Sequence, residues 1–240
     1  MVNYNPLQNL PSSDELPDSD DTPVDNELQI LVPTLLRAIL NWLWGDSLRD
    51  SCASRNDWFF GVNMGIYHTT GKNPRNPIVP DGFLSLGVER RKGLYGRKSY
   101  VVWEENDIVP IWVLEFVSQT YGGEYDEKIE AYARLGVLYY AIYNPQFNKR
   151  DKHDPLEVYR LVEGEYVRQP GEPVWMPEIG LGIGREVGIY ENWQREWLYW
   201  YDQQGTRFPS PDEVTQQERQ RAERLAERLR AMGIDPEQLE

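Results

Sequence analysis

The chain has 240 residues, 40% of them hydrophobic, with 9 Trp, 15 Tyr and 6 Phe, which is enough for a sizeable core and excludes disorder of the whole chain. Its longest apolar run, LQILVPTLL, is far short of the roughly 20 residues of a membrane span, and no basic-then-apolar signal opens the chain, so a cytoplasmic protein with no membrane partner is expected. A formal charge of −14 argues at first against DNA, while the single Cys52, with only His68 and His153 beside it, excludes a disulfide framework or a zinc site and leaves oxygen ligands for any metal.

The first 30 residues hold Asp14, Glu15, Asp18, Asp20, Asp21, Asp25 and Glu27 and no Lys or Arg, so half of the net charge lies in one leader. Rich in Pro, Ser and Asp, this leader cannot offset its ordering entropy by burial, which predicts an acidic extended arm over 1–24. From Glu27 onward, Leu28, Leu31, Val32, Leu35, Leu36, Ile39, Leu40 and Leu43 follow one helical face, with a kink or restart at Pro33 and a stop at Gly45. Next, Lys72, Arg75, Arg90, Arg91, Lys92, Arg97 and Lys98 stand against Asp81 and Glu89 alone. That stretch reads either as a solvated basic tip or as a loop that contacts phosphates. β-Branched and aromatic runs at 79–86, 100–104, 111–118 and 138–144 predict strands. Between the last two, DEKIEAYARLG has the spacing of a short amphipathic helix with a glycine cap. Strand, helix, strand at this spacing is a crossover that makes two neighbouring strands parallel, hence an α/β core.

After Asp151 the sequence predicts a hairpin about Glu163–Gly164, an irregular Gly- and Pro-rich stretch PGEPVWMPEIGLGIGREVG, and a second hairpin turning at Gln204–Gly205. Ser210-Pro211-Asp212-Glu213 has the form of a capped helix start. The helix carries a narrow stripe of Ala222, Leu225, Ala226, Leu229 and Met232 and stops at 233–236, where Leu229 and Ile234 have the spacing of a Schellman contact. The expected organisation is an arm over 1–24, a domain over 25–209 and a charged helical tail over 210–240. Without the leader and the tail, the remaining body is near neutral, so net charge no longer excludes a DNA partner.

With Cys and His out of contention, paired carboxylates are the groups equipped for chemistry. Glu115 lies mid-strand in IWVLEFVS, with Val113 and Val117 on its own face and Leu114 and Phe116 on the other, so no register takes it to a polar face. A lone buried glutamate is more often a structural ion-pair partner, so it needs company to be read as a site. Asp81 supplies it: of the three Pro-Asp pairs in the chain, Pro80-Asp81 leads into a strand. Two such acids from neighbouring strands have the donor chemistry for Mg²⁺ or Mn²⁺. Lys128 lies at the edge of the buried face of the next helix, where a lysine would stabilise charge on an attacked phosphate; spacing alone favours an ordinary i−4 pair with Glu124.

In this order, Pro80-Asp81, then VLEFVSQT at 113–120, then Lys128 within DEKIEAYARLGVLYYAIYNP, the chain resembles the Uma-two family of the PD-(D/E)XK nuclease superfamily, across roughly residues 10–205. The resemblance implies a mixed central β-sheet flanked by helices, restriction-endonuclease-like, here with extra β-hairpins and a C-terminal helix. It makes Asp81 and Glu115 the metal carboxylates and the carbonyl of Phe116 a further ligand. Val117 stands where the superfamily has the lysine of Glu-x-Lys, and Lys128 matches a lysine moved to the following helix. Glu27 is the candidate for a first-helix glutamate, and Ser118 and Gln119 flank the site.

The leading expectation is a metal-dependent DNA endonuclease, with Asp81, Glu115 and Lys128 catalytic and Arg90, Arg91, Lys92, Arg97 and Lys98 contacting DNA phosphates. Cutting both strands implies a homodimer. The acidic leader offers a charge match to the basic loop and suggests an autoinhibitory DNA mimic. The competing reading is a catalytically silent nuclease-like scaffold that binds or assembles through its aromatic hairpin and C-terminal helix. A glycosidase built on the two acids leaves Lys128 without a role.

Overall fold

The computed structural model describes residues 10–17, 26–45, 55–71, 73–119, 122–233 and 235. Cys52, Lys72, most of the acidic arm and the Ile234 end of the tail helix lie outside the described residues. Helix α1 (Leu28–Trp44) begins where Asn26 Oδ1 accepts the Leu28 N–H at 2.9 Å. It continues through Pro33 without a second start, and Gly45 caps it. Leu35, Leu36, Ile39 and Leu40 are fully buried, each worth about 1.5–3 kcal/mol of transfer from water.

The strands follow as β1 (Trp58–Val62), β2 (Ile66–Tyr67), β3 (Gly82–Leu86), β4 (Tyr100–Val101) and β5 (Trp112–Phe116). Helix α2 (Glu127–Leu135) carries the chain across to β6 (Tyr139–Tyr143), and Gly136 ends it at φ 91°, a left-handed position that glycine adopts without strain. Short α3 (Asn148–Asp151) precedes the hairpin β7 (Leu156–Val162) and β8 (Glu165–Arg168), which turns on Glu163 and Gly164, both at positive φ. The main sheet runs β1-β3-β5-β6-β7-β8, antiparallel except for the predicted parallel pair β5–β6. Beside it lies the two-stranded sheet β2–β4.

Alternation along β5 divides the core. Trp112, Leu114 and Phe116 join α1 in one buried cluster, whereas Val113 and Val117 join Phe83, Tyr132, Tyr140 and Ile142 on the α2 side. Gly82 permits the close approach of α1 to β3, since a Cβ there would lie 2.9 Å from the Pro33 ring.

Three sequence expectations change. The run at 100–104 is strand only over Tyr100–Val101, then a 3₁₀ turn, Val102–Glu104. The stretch read as irregular instead supplies β9 (Val174–Met176) and β10 (Leu181–Tyr190), whose glycines are sites of close packing: a Cβ on Gly188 would sit 2.0 Å from Tyr199 Oη. WLYWY pairs backward, as part of β11 (Trp193–Tyr201), through a turn at Glu191–Asn192, while the Gln204–Gly205 turn closes only an isolated bridge from Tyr201 to Arg207. This second sheet, β11-β10-β9, buries Trp200 against Trp112 at 5.1 Å, and the Trp200 indole donates to Leu36 O of α1. The tail helix α4 (Pro211–Ala231) has the predicted capping box from Ser210 and Glu213 and no buried residue. Among the described residues, no helix is long and apolar enough to cross a membrane.

Candidate active site

The register of β3 against β5 pairs Leu84 with Trp112, Phe83 with Val113 and Gly82 with Leu114. One step further along the same antiparallel ladder sets Asp81 opposite Glu115, and directly opposite residues share a sheet face. Both carboxyls therefore lie on the α2 side, with Asp81 8% and Glu115 1% exposed. Val117 N–H donates across to Tyr143 O of β6 at 2.9 Å, while Phe116 N–H faces the other way and donates to Asp81 Oδ2 at 2.6 Å. The acid thus satisfies a backbone donor left where β3 runs out, and its Oδ1 has no hydrogen-bond partner among the described residues.

The crossover brings the first turn of α2 to the end of β5 that carries Glu115. Lys128 and Tyr132, four residues apart on one helical face, both reach that glutamate. Lys128 Nζ donates to Oε2 at 2.7 Å and the Tyr132 hydroxyl to Oε1 at 2.6 Å. The i−4 pair with Glu124 suggested by spacing does not form, because α2 begins at Glu127 and Glu124 lies ahead of it; its carboxylate accepts the Gly122 N–H instead. Glu124 is itself buried and close enough to act electrostatically on Asp81, Glu115 and Lys128.

Burial pushes the Asp81 carboxyl well above the usual range, and repulsion from Glu115 pushes it further, against the Phe116 N–H and Lys128. Glu115 is raised by burial too, with Lys128 and Tyr132 pulling back. Desolvation acts to lower the Lys128 ammonium, but Glu115, Glu124 and Asp81 together hold it above its ordinary value. Tyr132 stays neutral, driven well up by burial and by Glu115. The site is an excess of buried carboxylate over cation.

That excess fits a divalent ion. The donors are oxygens, as a hard cation requires, and neutralising two facing acids would relieve the repulsion that raises Asp81. Among the described residues no cluster of three His, Cys, Asp or Glu forms a ready-made cage, so Asp81 and Glu115 would share such an ion with backbone or solvent oxygens. Ser118, just past the end of β5, is buried, while Gln119 is exposed and its carbonyl accepts from Arg150 at 3.2 Å. Glu27 is exposed at the start of α1, the helix on the opposite face, and no contact among the described residues joins it to the acids.

The basic loop leaves the far end of β3, six residues and about 20 Å along the strand from Asp81, and no contact among the described residues joins its cations to the two acids. Several of its cations are already engaged. Arg97 is bidentate on buried Glu105 (2.9 and 3.0 Å) and Lys92 reaches the same carboxylate at 3.1 Å. Lys98 pairs with Asp14 of the leader at 3.0 Å, and Arg90 stacks on Trp58 at 3.7 Å. Arg91 is exposed and lines a cavity of about 440 Å³ with Arg55, Asn56 and Arg90. The sequence does not single out Tyr132 and offers Glu124 only as an i−4 helix partner; the i, i+4 spacing of Tyr132 from Lys128 is the one signal it holds for the pair.

Neither the curated proteins nor the solved structures contain a match to the chain. A family model described as "Uma2: Putative restriction endonuclease" matches residues 21–189, a span that includes Asp81, Glu115, Lys128 and Tyr132. With well over half of the chain matched, and a mixed sheet carrying the two acids on its α2 face, the protein belongs to the Uma2 family.

Proposed function

We propose that this protein is a divalent-metal-dependent nuclease that hydrolyses phosphodiester bonds of DNA. The observation that carries the reading is the set Asp81–Glu115–Lys128, two buried acids brought together by adjacent strands with a half-buried lysine from the crossover helix. Mg²⁺ or Mn²⁺ held by Asp81 and Glu115 would supply Lewis acidity toward a phosphoryl oxygen and lower the pKa of the attacking water. Asp81 stays oriented by the Phe116 N–H, and Tyr132 fixes Glu115 while Lys128 holds its other oxygen. As negative charge grows on the phosphoryl oxygens, the Lys128 ammonium is the nearby cation that can turn to it; at 29% exposure it is the member of the set open to substrate. Cleavage of both strands calls for two such sites, which a homodimer would provide.

The test is cleavage of plasmid and oligonucleotide DNA with Mg²⁺ or Mn²⁺ by the wild type and by folded Asp81→Asn and Lys128→Ala variants. Loss of cleavage in both supports the reading; undiminished metal-dependent cleavage in either sinks it. The assembly reading draws on α4, which has no buried residue and exposes Leu225, with Met232 exposed just past its end, yet it gives the buried acids no task.

A further inference from the structure

The parallel register of β5 and β6 sets Phe116 beside Tyr143, so the chain leaving β6 emerges at the same end of the sheet as Asp81 and Glu115. The connection from β6 to β7 carries Lys149, Arg150, Lys152 and His153. In open α/β sheets, ligands bind outside the carboxyl ends of the parallel strands, which is where this segment lies. Nothing in its sequence distinguished it, because Asp151 and Asp154 interrupt the charge.

The structure removes those interruptions. Asp151 accepts from Asn144 Nδ2 at 2.9 Å and from Arg150 at 2.6 and 3.0 Å, and Asp154 pairs with Arg168. The segment is held rigidly: Asn144 is fully buried, its Oδ1 accepts the Phe147 N–H at 2.9 Å, and its carbonyl accepts from Asn148 Nδ2 at 3.0 Å. Arg150 lies over the Phe147 ring at 4.3 Å and donates to Gln119 O at 3.2 Å, which ties the segment to the chain leaving β5. Lys149 and Lys152 remain, exposed and with no side-chain hydrogen bond or ion pair among the described residues. Lys152 is held at φ 60° as the left-handed end of α3. In the loop at 87–99 the arrangement is reversed, with Lys92, Arg97 and Lys98 already paired to acids.

We infer that the β6–β7 connection, through Lys149 and Lys152, is the surface that binds the phosphate backbone of duplex DNA beside the carboxylate pair, in place of the loop at 87–99. This rests on the nuclease reading and adds to it where the substrate lies. Backbone contacts of this kind carry no base readout; they set affinity and register and make binding fall with salt.

Binding separates this inference from catalysis. A fluorescein-labelled duplex is titrated by anisotropy, with EDTA present, against the full-length wild type, K149E/K152E, K149Q/K152Q and R91E across a salt series. The lysines are exposed and unpaired, so unchanged melting curves are expected and serve as the folding control. The inference requires that K149E/K152E weaken binding about tenfold or more at low salt, that K149Q/K152Q lower the salt slope by about two phosphate contacts, and that R91E stay within about twofold. Wild-type-like binding by both lysine variants, or an equal loss in R91E, overturns the surface while leaving the nuclease reading in place. No DNA binding by the wild type overturns the surface as well, and the nuclease reading is then judged by the cleavage test alone.

Discussion

Asp81 Oδ2 and the Phe116 amide are joined by a 2.6 Å hydrogen bond, and this one contact makes the acid just ahead of β3 the terminal partner of β5. It fixes Asp81 opposite Glu115 in a place where both charges are desolvated, so the pair is held together at a cost to stability. Residues that store such repulsion are candidates for function on physical grounds, since a core built only for stability would not contain them.

That cost can be measured. Both acids have folded pKa values above their unfolded ones, so their contribution to stability is full below about pH 4 and is lost as the pH rises through the raised values. Asp81→Asn keeps an acceptor for Phe116 N–H and removes the repulsion. It is expected to raise the metal-free melting temperature at neutral pH by a few degrees and to flatten its fall with pH; calorimetry between acid and neutral pH checks this.

Metal should reverse the same strain. Titrating Mg²⁺ or Mn²⁺ is expected to raise the wild-type melting temperature, by an amount approaching about 2.7 kcal/mol of stability at a hundredfold excess over Kd. Asp81→Asn should show little or no rise. A wild-type melting temperature indifferent to both ions would remove the carboxylate pair from consideration as a metal site.

Lys128→Ala leaves Glu115 buried with Tyr132 as its remaining donor. Cleavage is expected to fall about 10²–10³-fold through kcat, the usual effect of deleting one positioned donor to a developing oxyanion. Single-turnover kinetics at saturating DNA would separate this from a loss of binding.

On the nuclease reading Tyr132 is a positioning residue, and a pH profile tests that role. Its hydroxyl stabilises the ionised form of Glu115, so Tyr132→Phe should raise that carboxyl further and move the acid limb of kcat/KM to higher pH. A purely structural role would lower activity at every pH alike. The lost hydrogen bond should also cost about 1–3 kcal/mol in urea unfolding.

The described part of the leader is docked as a strap. Leu16 is buried with Tyr67 and Val101, Tyr67 donates to Pro17 O at 2.8 Å, and the Trp103 indole donates to Pro11 O at 3.0 Å. Leu16→Ala is therefore expected to destabilise the fold by about 2 kcal/mol, and an unchanged urea midpoint would show that the strap contributes nothing.

How much of this was legible differs by residue. Glu115 and Asp81 stood out because a charge inside or at the start of an apolar strand is anomalous in any register, and the parallel β5–β6 pair followed from the length of the helix between them. By itself the sequence determined the local elements, namely the amphipathic α1, the capped α4 and the central strands, since periodicity and capping depend on neighbours a few residues apart. It also nominated Asp81, Glu115 and Lys128, but neither Tyr132 nor Glu124. Only the tertiary structure decided the rest: that Lys128 turns to Glu115 and not to Glu124, that Tyr132 joins it, that a glycine-rich stretch is a strand under Tyr199, and that the conspicuous basic loop leaves the end of β3 away from Asp81 while a mixed-charge segment leaves β6 at the end that carries the acids. The reason is physical: charge runs and spacings are properties of the chain, whereas which end of a sheet a loop leaves, and which acids neutralise its cations, are set by strand order and by contacts between residues far apart in sequence.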